Sequence, residues 1–464
     1  MRLHLLLASA LLLGACTYED ATDETAEQRP APAGQTRDDG TISVPSRDYS
    51  RYDATAVRSQ RLDPSWREFA ERDWQRRQGT AGAPRGAAPL PPQPPQPSQP
   101  PLSSDLGIDP TQPPPPTGSE ARRPAGPGSP SASGAESFET LSPNSLQAAP
   151  TLPVPEEGGG STALRVQILL DRARFSPGVL DGYWGKNSAK AVYWFQRAKG
   201  MNATGQVDRA TWDALSRAAG PQRPFLRQIT LTAEDVQGPF TPIPEDVYEQ
   251  AKLDCLCYSS PLERIAERSH SSTELLQQLN PQADLENLTQ GATLWVPDVP
   301  PIIPAQVPQS EGAQADAAGP AAPAPSGQAQ RLVISKRGFY LQGLDAQGNI
   351  LFHLPSTLGS GYDPSPGGEY KVTLVKRDPD FRYQPKLFHE VPDTEPEATL
   401  PPGPNSPVGL VWIAISKPHY GIHGTAVPDT IGYTSSHGCV RLTNWDALFL
   451  ADHVRPGMKV EFVD

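Results

Sequence analysis

The chain is short of apolar residues. Of its 464 residues 37% are hydrophobic, while 55 are proline and 39 are glycine. A packed core cannot run through all of it, although the length allows three or four domains. Positive charge is also scarce. Forty Lys and Arg face 52 Asp and Glu, for a net charge of −12, which argues against a nucleic-acid binder and its basic surface. Beyond the first 16 residues no segment is apolar enough to cross a bilayer. There are only four cysteines, Cys16, Cys255, Cys257 and Cys439. Cys255 and Cys257 alone supply too few ligands for a metal site.

The first residues form an export signal. Arg2 gives a positive start, and Leu3 to Leu13 an apolar run too short for a stop-transfer helix. Leu13-Gly14-Ala15-Cys16 follows and resembles a bacterial lipobox. That resemblance implies a signal peptide over 1–15 and lipidation of Cys16. An acylated cysteine anchors a chain stably to a membrane. Thr17, where an aspartate would favour retention at the inner membrane, points to the outer membrane and the periplasm. In an oxidising compartment Cys255 and Cys257 are then left to pair. In an extended strand two residues this far apart are about 6.6 Å apart along the chain, so a disulfide between them requires a bend.

Residues 16–160 read as a disordered tether, charged at first and then proline-rich, as in Pro91-Pro92-Gln93-Pro94-Pro95. One weak helical pattern interrupts it, around Trp66 to Trp74. Order is expected from Ser161. Leu164, Ile168 and Leu169 recur at helical spacing, a second helix runs from about Asn187 to Lys199, and Asp208 caps a third. This three-helix unit over 161–220, with its SPGVLDGYWG turn, FQRAKG helix end and TGQVDRATWDAL close, resembles a peptidoglycan-binding domain. Trp184, Tyr193 and Trp194 are of the type that stacks on sugars, but aromatics at helical spacing more often fill a core. Residues 251–298 hold two short amphipathic helices and a strand, and resemble the later part of an α+β LysM module without its opening strand. Residues 299–330 read as a Pro/Ala linker.

From residue 331 to 464 strand and turn signals dominate, with one late helix expected over Asn444 to His453. The fold class is therefore multidomain: a mainly-β, sandwich-type C-terminal domain preceded by the helical domain, the small α+β module and the tether. A proline-rich, aromatic insert, Asp378 to Pro407, is long for a plain loop and reads as a lid.

The chemistry is concentrated in HGTAVPDTIGYTSSHGCVRL, residues 423–442, where His423 precedes Cys439 by 16 positions. A thiol becomes a strong nucleophile once a base takes its proton, and imidazole can do this near neutral pH. Gly438 removes a side chain where a carbonyl must approach, and backbone N–H groups at Gly438 and Cys439 suit an oxyanion hole. His437 reads either as a further oxyanion or substrate ligand or as a packed turn residue. Arg441 reads either as a carboxylate ligand or as a loop pin. Ser436 suits the turn better than the chemistry. His419 and Tyr420 line the approach to His423, and residues 432–435 the rim.

The Ser436-His437-Gly438-Cys439-Val440-Arg441 core, with His423 ahead of it, resembles the catalytic signature of the L,D-transpeptidases of the YkuD type. Pro366-Gly367-Gly368-Glu369-Tyr370 is similar to another segment of that family, with Ser365 where Thr is usual. The resemblance implies that Cys439 is the nucleophile, that His423 is the base, and that the Gly424 carbonyl orients its ring. Gly438, His437 and Gly424 are the expected oxyanion and orienting residues. Arg441, Ser436, His419 and Tyr420 are the expected substrate-binding residues. It also implies peptidoglycan stem peptides as substrate, glycan strands or a wall-tethered protein as further partners, and no metal or organic cofactor. A hydrolase acting on stem peptides or wall–protein links is the near alternative. A non-catalytic peptidoglycan-binding lipoprotein is the alternative of another class.

Overall fold

The computed structural model describes residues 65–79, 141–154, 158–300, 328–361, 363–388 and 391–464. The expected signal, Cys16 and most of the tether and linker lie outside these residues. No described helix is long and apolar enough to cross a membrane.

Two stretches of the expected tether are ordered. Helix α1 (Ser65–Gly79) buries Ala70 and Asp73, and residues 141–154 bury Leu141, Leu146 and Val154. The tether expectation fails here because both stretches carry apolar anchors. Trp66 and Trp74 pack edge-on to Tyr193 and Trp194 at 5.4 and 6.4 Å.

The helical domain contains α2 (Ser161–Arg172), α3 (Lys186–Ala198) and α4 (Arg209–Ala218). Asp208 caps α4 by accepting from the Thr211 N–H at 2.7 Å. Tyr193 and Trp194 are 1% and 0% exposed. They are core, and the sugar-stacking reading of these two does not hold. Trp194 touches Tyr340 of the C-terminal domain at 5.1 Å, so one core spans two domains.

Next comes a unit that begins with strand β1 (Leu226–Thr230), followed by α5 (Ala233–Gln237), α6 (Val247–Gln250), α7 (Pro261–Arg268), α8 (Thr273–Leu279) and β2 (Thr293–Pro297). β1 pairs antiparallel with β2 along five residues. The unit therefore starts near 226 and not 251. Its opening strand was missed because 62 residues separate Thr230 from Thr293. Part of that gap is an insertion before α7 that carries a Cys255–Cys257 disulfide, with Cα atoms 5.2 Å apart.

The C-terminal domain holds β3 (Arg331–Ser335), β4 (Tyr340–Leu344), β5 (Ile350–Pro355), β6 (Leu358–Gly359), β7 (Gly368–Arg377), β8 (Phe381–Tyr383), β9 (Ala398–Leu400), β10 (Val411–Ile415), β11 (Gly421–His423), β12 (Ser435–Ser436), β13 (Val440–Arg441), helix α9 (Asn444–His453) and β14 (Lys459–Val463). Eight strands form one mixed sheet in the order β13-β11-β10-β7-β14-β3-β4-β5. The ten-residue β7 joins its halves. Residues 368–371 pair with β14, and 372–377 pair with β10. The halves share one core, in which Leu332, Ile334 and Phe352 of one meet Ile413, Ile422 and Val440 of the other, with Leu450 of α9. That is the expected sandwich-type packing, built from one continuous sheet.

The edge strand β5 is covered by the helical domain: the Ser176 N–H donates to His353 O at 2.8 Å, and the His353 N–H to Arg174 O at 3.0 Å. Lys190 donates to Gly338 O at 2.8 Å from full burial, and burial together with Lys186 pulls its pKa down to about 7. The start of α9 closes the assembly. Thr443 caps it through the Asp446 N–H. Asn444 donates to Glu267 of α7, Trp445 stacks on His270 at 5.1 Å, and Asp446 accepts from Ser176 Oγ at 2.9 Å. His270 in turn pairs with Asp171 of α2 at 2.8 Å.

Two outcomes follow from this shared core. Trp194→Ala should cost about 3–5 kcal/mol, read as one cooperative denaturant transition in which near-UV signals of both domains move together. Separate transitions would contradict it. Burial pushes the Asp446 carboxyl up to about 7 from 3.8, with Ser176 opposing and Asp171 adding to the shift. Between those pH values the folded chain holds a proton that the unfolded chain has lost. Asp446 therefore costs stability progressively as pH rises through this window, by at most about 1.4 kcal/mol per unit. Asp446→Asn should gain on the wild type from pH 4 to 7 and hold level above. A gap that is flat in pH would refute the assignment.

Candidate active site

Strand register assembles the site. β11 and β13 pair parallel, with Ile422 opposite Val440 and His423 opposite Arg441. β10 lies on the other side of β11, with Trp412 opposite His423. Side chains alternate across a sheet. Ile413, Ile422 and Val440 therefore enter the core, and Trp412, His423 and Arg441 share the other face. Cys439, two residues before Arg441, opens onto that same face beside Gly421. A parallel pair only two residues deep thus brings a histidine and a cysteine 16 positions apart in the chain to one surface.

His423 is 4% exposed. Its Nδ1 lies 2.7 Å from Gly424 O, and its ring stacks on Trp412 at 5.5 Å. A carbonyl can only accept, so Nδ1 carries the proton. Burial, then the Arg441 charge, pull the pKa down to about 3 against the Gly424 hydrogen bond. The ring is neutral at pH 7, which leaves Nε2 as a lone-pair acceptor. Cys439 is half-buried. Burial raises its thiol pKa, while the Gly421 backbone N–H and Arg441 lower it. Its Sγ donates to His419 O at 3.7 Å. The resting pair is thus neutral thiol and neutral imidazole.

The SHGC turn is tightly specified. Ser436 Oγ donates to Cys439 O at 2.6 Å and accepts the Gly438 N–H at 3.2 Å. Ser436, expected among the substrate ligands, is buried and spends its hydroxyl on the turn. The Gly438 N–H, expected as an oxyanion donor, is also committed there. Gly438 has φ 108, and a β-carbon would lie 2.7 Å from the Tyr420 ring, so only glycine fits. Tyr420 thus covers the turn. His419 is exposed, sits at φ 64 and offers its carbonyl to the sulfur. His437 meets the edge of Phe388 at 5.0 Å. Among the described residues no group of three or more His, Cys, Asp or Glu lies placed to hold a metal ion.

Sequence reasoning missed several supports. Ser365 Oγ donates to Gly438 O and accepts the Gly359 N–H, both at 2.8 Å. Only the similarity around Pro366 hinted at it. Trp412 and Asn444 gave no local signal. The insert is not a plain loop. β8 and β9 form a hairpin, and Phe388, in the segment between the two strands, reaches His437. The hairpin is braced by the preceding unit. Tyr248 of α6 packs on Tyr383 at 6.3 Å and donates to Pro396 O at 3.0 Å. The Leu256 N–H donates to Pro402 O, and Leu256 O accepts the Asn405 N–H, each at 2.9 Å. The Cys255–Cys257 disulfide brackets this docked residue.

Arg441 holds the polarity of the site. Its removal should raise the Cys439 pKa further, and thiol alkylation follows the thiolate fraction. For Arg441→Met we expect alkylation of Cys439 by iodoacetamide at pH 8, followed by mass of the Cys439 peptide, to be slower than in the wild type. An unchanged or faster rate would show that Arg441 does not act on the sulfur.

Residues 329–462 match the family model described as the L,D-transpeptidase catalytic domain. Residues 160–215 match a model for a peptidoglycan binding domain. The chain is 38% identical over 119 residues to "Probable L,D-transpeptidase YbiS" of Escherichia coli strain K12, across 25% of this chain and 39% of that protein. It is 45% identical over 67 residues to "Probable L,D-transpeptidase ErfK/SrfK" of Salmonella typhimurium strain LT2, across 14% of this chain and 21% of that one. The match thus spans about two-fifths of the first of these relatives and about a fifth of the second. A crystal structure of the L,D-transpeptidase from Xylanimonas cellulosilytica is similar at TM-score 0.28 and 15% identity, over 68% of this chain and all of that one. At 329–462 the chain is thus similar to L,D-transpeptidase catalytic domains, and at 160–215 to peptidoglycan-binding domains.

Proposed function

We propose that the protein is a peptidoglycan L,D-transpeptidase working through a cysteine thioester. The observation that carries this reading is the common face of His423, Cys439 and Arg441, with Nδ1 of His423 tied to Gly424 O. Nε2 of His423 takes the thiol proton as Cys439 Sγ attacks the carbonyl carbon of the third residue of a stem tetrapeptide. The C–N bond to the terminal D-alanine breaks, and the imidazolium returns the proton to the leaving amine. Because burial and Arg441 disfavour the imidazolium, the proton is held only briefly and is a strong acid for that amine. Arg441 meanwhile favours the thiolate. An incoming amine then attacks the thioester, gives its proton to His423, and frees the thiol with a new amide bond formed. That amine belongs to another stem or to a protein joined to the wall.

Water competes with the amine at the thioester. The aromatic insert, which brings Phe388 to His437, favours the amine by covering the site. His437, His419 and Tyr420 border the cleft as substrate contacts. Cys16 is lipidated in this reading, and the chain reaches the wall from the periplasmic face of the outer membrane. The 160–215 domain and the LysM-like unit after it keep it on peptidoglycan.

Incubation with purified sacculi followed by muropeptide analysis tests the reaction. We expect dimers joined through two third-position residues, with D-alanine released, and neither with Cys439→Ala or His423→Ala. Shortened stems without dimers would make the protein a hydrolase. Unchanged sacculi would leave a wall-binding protein.

A further inference from the structure

Glu267 is a buried carboxyl without a cation. It stands in the last turn of α7, at 8% exposure. The nearby arginines of its helix turn elsewhere. Arg264 lies over the rings of Phe240 and Tyr258, and Arg268 pairs with Asp235. A carboxyl in such a place must be satisfied by hydrogen bonds. Both of its oxygens accept from Asn444 Nδ2 at 3.1 Å, and Oε1 also accepts from Tyr258 OH at 3.0 Å.

The other end of the Asn444 amide reaches the active site. Asn444 is fully buried. Its Nδ2 also donates to Pro404 O at 3.1 Å, and its Oδ1 accepts the Leu410 N–H at 3.1 Å. Acceptors on one side and a donor on the other fix which way the amide points. Oδ1 is wedged between two backbone segments. A β-carbon on Gly409 would lie 2.0 Å from it, and one on Gly424 2.1 Å. Gly424 is the residue whose carbonyl holds Nδ1 of His423. A continuous path of contacts therefore runs from a helix of the 226–298 unit to the imidazole.

We propose that Glu267 is a positioning residue for the reaction: by fixing the Asn444 amide it seats the Gly409 and Gly424 backbone behind His423, so the 226–298 unit takes part in catalysis at Cys439. This rests on the reading of His423 as the base. Without the carboxyl, Nδ2 keeps only Pro404 O, one of its N–H groups is left unpaired in a buried site, the amide shifts to recover a partner, and the Gly424 carbonyl loses its backing. The substrate cleft is untouched.

The test uses the full chain and D-alanine release from a stem tetrapeptide in the presence of an amine acceptor. Glu267→Ala should lower kcat by about tenfold or more, the scale of a misplaced catalytic group, with KM changed by no more than about twofold. Glu267→Gln keeps an acceptor for Asn444 and should return kcat to within about threefold of wild type. A purely structural role would show as lost thermal stability with kcat per folded molecule unchanged, and that result overturns the proposal. So does a wild-type kcat in Glu267→Ala while His423→Ala is inactive. Full activity in His423→Ala would instead overturn the reading of the base itself. Should Glu267→Ala not fold, Glu267→Asp decides: its carboxyl is drawn back by one methylene, and an unchanged kcat in that variant refutes the proposal.

Discussion

The start of α9 is the constraint on which the assembly depends. Three consecutive side chains there, Asn444, Trp445 and Asp446, are each taken by another part of the chain: Glu267, His270 and Ser176. All are buried, and a buried polar group left without its partner costs about 1–3 kcal/mol. The partners come from two separate domains, and neither Asn444 nor Asp446 can leave without exposing such a group. The helix begins three residues after Arg441 and five after Cys439.

This placement explains how a shallow strand pair can hold a reactive site. β11 and β13 share only two residue pairs, too little to be rigid alone. The Leu442 N–H donates to His423 O, and Thr357 pairs with Arg441 through two backbone bonds. Thr443 then passes the chain into the clamped helix. The electrostatics follow from the same burial. A neutral histidine, a neutral thiol and one half-buried arginine make a site that stays uncharged at its reacting atoms until a substrate arrives.

The domains that look like passive wall anchors in the sequence are structural parts of the catalytic unit. Trp194, of the type that reads as a sugar platform or, more often, as core, lies in the shared core with Tyr340. The insertion before α7 braces the β8–β9 insert through Tyr248 and Leu256. An accessory unit that both braces this insert and meets Asn444 through Glu267 is not free to rotate on a linker.

The sequence by itself determined the local features: the Asp208 cap, the bounds of α9, the SHGC turn with its required glycine, and the candidate pair His423 and Cys439. These rest on near neighbours, on fixed periodicities and on a motif. Only the tertiary structure decided the rest. That β1 pairs with β2, that Trp66 and Trp74 of the supposed tether enter a core, and that Glu267 meets Asn444 across 177 positions all depend on which distant surface covers a residue. Burial is a property of the assembled chain, and it sets the charge state of His423, Cys439 and Asp446 in a way no spacing of residues encodes.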